Sequence, residues 1–143
     1  MNNRSEEAAG SAKNIWIAYR EGRFEKSPAP FWGYFFLLED RPSVHTPVSN
    51  KEPHFPVDPE FKGRARSTKL ARESHEGVSH AKRYELLCRR LVMERLHNAA
   101  CFAMATNTST IQIRQPAEDL TFLRMAAALR GRALTFLVSQ TMK

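Results

Sequence analysis

Residues 79–106 read "SHAKRYELLCRRLVMERLHNAACFAMAT", and a change of rhythm inside this stretch decides the fold. Tyr84, Leu87, Cys88 and Leu91 recur at the spacing of an amphipathic helix. Leu86 and Met93, seven apart, form a narrower apolar line on the opposite side, and Arg83 and Arg90 share a flank between the two. Ser79 is the residue type that caps a helix start, so the pattern predicts a helix from there to about Asn98. "AACFAMAT" (99–106) then becomes a short continuous apolar run, which reads as a central strand.

Upstream, "FWGYFFLLED" (31–40) is aromatic, almost wholly apolar, of strand length, and closed by two acids. It reads as a strand buried on both faces, in the middle of a sheet. Before it, "MNNRSEEAAGSAKNIWIAYREG" (1–22) predicts a helix. Asn3 is its expected cap, with Glu6 in the reciprocal position. Ala8, Ala12, Ile15, Trp16 and Tyr19 lie at helical spacing, and Gly22 stands where a C-cap glycine belongs. At the other end, residues 119–138 carry Leu120, Phe122, Leu123, Met125, Leu129, Leu134, Phe136 and Leu137, a helix apolar nearly all round that needs cover on more than one side.

The connectors complete the order. "REGRFEKSPAP" (20–30) is polar with two prolines, and residues 41–63 carry five, too many for a long regular element. Residues 64–78 are charged and weakly periodic, so 41–78 is expected to be loop. The order α, β, long loop, α, β, α predicts a single α/β domain over 1–143. Its helices surround a small parallel strand pair joined by a right-handed crossover. Two strands are too few to bury three helices and an aromatic strand on both faces. The remaining strands are expected from sequence preceding Met1.

No apolar run approaches the roughly 20 residues a membrane span needs, and the polar, acidic start is no signal peptide. The two cysteines, Cys88 and Cys101, sit in apolar segments as expected of buried free thiols in a reducing cytoplasm. The formal charge is +7, and its distribution is uneven. From Lys62 to Arg95, ten Lys or Arg stand against four Glu. A concentrated excess of this kind suits a polyanion, because each neutralised phosphate releases counterions; a merely solvated basic face is the other reading.

Catalytic patterns are sparse. Glu39 and Asp40, with Asp58, Glu60 and Lys62 of "VDPEFKG", imitate the Asp…Glu-x-Lys arrangement in which carboxylates hold Mg²⁺. Pro56 and Pro59 interrupt the second element, and proline is excluded from central strands, so loop carboxylates are the competing reading. Of the five histidines, His54 in "EPHFPV" lies between prolines, and none has metal-ligand spacing. Gly-x-Ser-x-Gly, P-loop and Gly-x-Gly-x-x-Gly patterns are missing.

"NNRSEEAAGSAKNIWIAYREGRFEKSPAPFWGYFFLLED" (2–40), "PHFPVDPEF" (53–61) and "AKRYELLCRRLVMERLHNAACF" (81–102), in that order, resemble the type II restriction endonucleases of the XhoI family. The likeness runs from residue 2 to about residue 123 and is weakest over 64–78. It implies a partial PD-(D/E)xK nuclease core. The full-length enzyme would cut double-stranded DNA at a short palindrome, as a homodimer with Mg²⁺, within a restriction-modification system. It also implies that the Asp and Glu-x-Lys residues lie upstream of "NNR". No catalytic or metal-binding residue is therefore assigned in this chain, which is expected to be a truncated DNA-binding portion, inactive alone. Asn3, Arg4 and Glu7 would line the cleft edge, or else serve as a cap and a solvated pair. Arg83 and Arg90, with Arg64, Arg66 and Lys69, would contact phosphates or bases. The two long later helices either supply a dimer interface or face core. The alternative function is a non-catalytic nucleic-acid-binding module that uses only the basic surface.

Overall fold

The computed structural model describes residues 2–25, 27–48 and 78–142. Helix α1 spans Asn2–Arg20, strand β1 Gly33–Glu39 and the short helix α2 Pro42–His45. Helix α3 spans His80–Met93, strand β2 Ala99–Ala105 and strand β3 Ile113–Arg114. A 3₁₀ turn at Glu118–Leu120 leads into helix α4, Phe122–Thr141. The fold is therefore mixed α/β, with four α-helices and a three-stranded sheet in the order β1-β2-β3 among the described residues.

The parallel pair is present, in the register Gly33↔Ala99 through Glu39↔Ala105, with α3 in the connection. The sheet is not a strand pair alone, because β3 adds to β2 antiparallel through Met104↔Arg114 and Ala105↔Ile113. A two-residue strand carries no periodicity from which to predict it. β2 is central and its middle five residues are buried, as its continuous apolar run requires.

β1 differs from expectation. It lies at the sheet edge with alternating burial: Tyr34, Phe36 and Leu38 turn toward the core, while Phe35 and Leu37 are about half exposed at 49% and 52%. Phe36 stacks on Tyr84 of α3 with ring centroids 4.2 Å apart and lies beside Phe102 of β2 at 6.3 Å. On the other face Phe35 meets the edge of Phe122, at 6.4 Å. Helices α1 and α3 thus cover one face of the sheet, and the start of α4 covers part of the other.

The carboxyl ends of α1 and α3 obey a single motif. After α1, Gly22 takes φ +73°, its N–H donates to the Tyr19 carbonyl (3.0 Å), and the Arg23 N–H donates to Ala18 (3.0 Å). That is the Schellman pattern, with glycine in the left-handed position where it costs least. α3 ends the same way, about five residues before its expected limit. Arg95 holds φ +57° and donates to Val92 (2.9 Å), while Leu96 donates to Leu91 (3.0 Å). At the starts, Ser79 caps α3 by accepting from the Lys82 N–H at 3.2 Å. α1 already includes Asn2, so Asn3 lies within its first turn and is not its cap.

Ala8 of α1 packs on Leu87 and Leu91 of α3. Val44, Ala81, Cys88, Ala100, Phe102, Met104, Ala117 and Leu120 form the main core. Cys88 and Cys101 are both buried free thiols, and burial pushes Cys88 up to about 12, which keeps it protonated and inert. Of the second line on α3, Leu86 is buried but Met93 is exposed. α4 has no buried residue, and Leu123, Leu129, Leu134, Leu137 and Val138 all face outward. No helix among the described residues is long and apolar enough to cross a membrane.

Candidate nucleic-acid interface

The described residues on either side of 49–77 meet at one place. An isolated antiparallel bridge joins Pro47 to Ser79, and Arg83 Nη2 donates to the Val48 carbonyl at 3.1 Å. Arg83 is buried (7% exposed), its Nε has no partner, and burial lowers its pKa. Its guanidinium therefore faces inward and clamps the connector after α2 to the first turn of α3. Of the expected DNA contacts, Arg64, Arg66 and Lys69 lie outside the described residues. So do His54, Asp58, Glu60 and Lys62.

The other cations of α3 largely meet acids. Arg90 Nε donates to Glu94 at 2.5 Å, and Lys82 pairs with Glu85 at 2.8 Å. Arg89 forks onto Asp119 (2.7 and 3.0 Å) and also reaches Glu85, which ties α3 to the 3₁₀ turn before α4. At the start of α1, Arg4 and Glu7 pair at 3.0 Å, with both side chains more than 60% exposed. An i, i+3 pair this open contributes at most a few tenths of a kcal/mol, so either partner is free to exchange for a ligand at about that cost.

A polar cluster that the sequence did not announce closes the carboxyl end of β1. Asp40 continues the ladder through its N–H to the Ala105 carbonyl (2.7 Å), and its carboxylate accepts from Arg114 of β3 through both Nε and Nη2. His45 of α2 reaches the same carboxylate through Nε2 at 2.7 Å. These hydrogen bonds, Arg114's foremost, hold the Asp40 carboxyl at about 2, while the carboxylate in turn raises Arg114. Residues 40 and 114 are brought together only by the β1-β2-β3 order, which no local spacing reports.

The cluster makes the fold sensitive to acid, with a definite sign. A carboxyl depressed from 3.8 to about 2 stabilises the folded state above its unfolded value and loses that contribution as pH falls from about 4 to about 2. Asp40→Asn is expected to melt below the parent at neutral pH. The gap should close as both are taken to about pH 2, measured by circular dichroism melts across that range.

The acids that close β1 are thus taken by cations. Asp40 holds Arg114 and His45, and Glu39 lies 3.7 Å from Arg41. Among the described residues no group of three His, Cys, Asp or Glu could hold a metal ion. The described residues do not fit a Mg²⁺ site.

Residues 1–115 match the family described as Restriction endonuclease XhoI. The chain is 45% identical over 122 residues to the type II restriction enzyme BstVI of Geobacillus stearothermophilus, a match covering 84% of this chain and 48% of that enzyme. It is 39% identical over 94 residues to the type II restriction enzyme XhoI of Xanthomonas vasicola (66% of this chain, 32% of that enzyme). It is 50% identical over 55 residues to the type II restriction enzyme AbrI of Azospirillum brasilense (38% and 25%). The chain thus spans about half or less of the length of these relatives. No solved structure matches.

Proposed function

The chain belongs to the XhoI restriction endonuclease family, and from that premise we propose that it forms the DNA-contacting part of a type II site-specific deoxyribonuclease. The observation that carries the reading is the family match over residues 1–115, which encloses the most basic stretch of the chain. Arg64, Arg66 and Lys69 neutralise DNA phosphates, or fork onto guanine where an arginine reaches the major groove. Arg90 exchanges Glu94 for a phosphate, and Arg83 stays inward, holding the Val48 carbonyl. Asn3, Arg4 and Glu7 line the edge of the cutting cleft.

In this reading the core is a PD-(D/E)xK nuclease core, and the Mg²⁺-binding Asp and Glu-x-Lys are supplied by family sequence outside this chain. The apolar residues left open on α4 and on the outer face of β1 suit a larger layer that includes that sequence. A two-fold dimer would match a palindromic site.

The test is binding of a duplex oligonucleotide across a salt series. Affinity is expected to fall linearly on logarithmic axes with a slope of about −3 or steeper, as three or more phosphates are contacted at about −0.9 each. Absence of binding at low salt would overturn the reading. The charge excess over residues 62–95 also suits a non-catalytic nucleic-acid-binding module. That reading predicts the same salt slope, without preference for any sequence and without restored cutting when the rest of the family fold is supplied.

A further inference from the structure

Helix α1 and the turn joining α3 to β2 flank an open cavity of about 610 Å³, within the size range of small-ligand sites. Lys13, Trp16 and Arg20 line it from α1 at i, i+3 and i+7, a single helical face. Arg95, Leu96 and His97 line it from the turn. The Trp16 indole Nε1 donates to the Leu96 carbonyl at 2.9 Å, which locks the two walls together. Asn98 exchanges hydrogen bonds with Trp32 (both 2.7 Å) just before the parallel strands begin. The cavity therefore sits at the amino end of the sheet, away from the Asp40 cluster.

The charge of the lining points to an anionic ligand. Lys13, Arg20 and Arg95 share this concavity, and none of the three takes part in an ion pair among the described residues. The acid on the wall, Glu94, is bound to Arg90. Converging cations repel one another unless an anion joins them. His97, only 3% exposed, has a buried Nδ1 with no hydrogen-bond partner, and burial pushes its pKa down to about 4. The ring packs against Tyr34 and Trp32, with centroids 5.4 and 6.3 Å away, and forms the inner, neutral floor beneath the cations. Arg95 adds a further hint: a cation occupies the left-handed position that glycine fills at lower cost.

We propose that this cavity binds one phosphate-bearing nucleotide unit, its phosphate held by Lys13, Arg20 and Arg95 and its base set against Trp16. The cations supply charge-assisted donors, and the indole an apolar wall on which a base can stack. The unit is either a free nucleotide or part of a DNA strand. None of these residues belongs to the set proposed above for duplex contact, so the inference goes beyond that reading and does not depend on it.

Titration calorimetry of the 143-residue chain with inorganic phosphate, with deoxyadenosine 5′-monophosphate and with a short duplex tests it. The mononucleotide is expected to bind, and more tightly than phosphate alone. Lys13→Gln and Arg95→Gln, both at exposed positions, should each weaken it by about tenfold. Arg130→Gln, which removes an equal charge on α4, should leave it unchanged. If the first two substitutions also weaken the duplex, the unit comes from a strand; if they weaken the mononucleotide alone, it is free. Failure of the duplex with retained mononucleotide binding sinks the DNA reading and leaves the cavity assignment standing. Equal affinity for phosphate and mononucleotide, or no saturable binding sensitive to Lys13 and Arg95, overturns the proposal.

Discussion

Phe102→Ala is expected to remove about 3–5 kcal/mol of folding stability. Phe102 is 1% exposed at the centre of β2, lies beside Phe36, and belongs to the cluster formed with Val44, Cys88, Ala117 and Leu120. Arg89 and Asp119 join α3 to the 3₁₀ turn, two elements that supply Cys88 and Leu120 to this cluster. A small domain has only about 5–15 kcal/mol in total, so the variant should melt at least about 10 °C lower or lose its cooperative transition. Phe35→Ala, on the half-exposed face of the neighbouring strand, should cost about 1 kcal/mol or less. Similar losses for the two variants in thermal melts would contradict the placement of the core on one face of β1.

Replacing Arg64, Arg66 and Lys69 together by glutamine is expected to weaken duplex binding by about two to three orders of magnitude near 0.1 M salt. Each phosphate contact contributes about 0.9 to the salt slope and therefore about 0.9 of a decade at that concentration. The slope should become shallower by about 2.7. If the three cations are only a solvated surface, neither quantity moves. Glutamine at Arg90 alone should have a smaller effect, because Arg90 already has a carboxylate partner.

How legible the fold was in the sequence depends on how local each signal was. Gly22 and Ser79 act through bonds to residues within five positions, and both behave as read. The end of α3 uses the same geometry as Gly22, but with Arg95 in the left-handed position. Without a glycine the sequence carries no stop there, so the expected helix extends past the observed one. β1 exposes a different limit: a continuous apolar run specifies a strand but not what covers its second face. Phe35 and Leu37 stand half open because α4 reaches that face near its start, through Phe122 beside Phe35 and Met125 beside Gly33. α4 repeats the lesson, since its all-round apolarity forecast cover that the described residues do not provide.

The candidate interface was legible in part. Charge counting located the basic stretch, but it could not see that Arg83 turns inward or that Arg89 and Arg90 are paired. Residues 40, 45 and 114 form one cluster across 74 positions of sequence, and only tertiary structure reports that. The cavity cations on α1 did leave a trace: Lys13, Trp16 and Arg20 repeat at helical spacing. Arg95 and His97, which complete the set, come from a turn nearly eighty residues away.

Incubation of the purified chain with Mg²⁺ and DNA carrying the site cut by a matching relative tests the division of labour most directly. The chain alone is predicted to bind the DNA and leave it intact, and to cut it at that site when fused behind the preceding family segment. Site-specific cleavage by the chain alone, abolished by Glu60→Ala, would contradict the account.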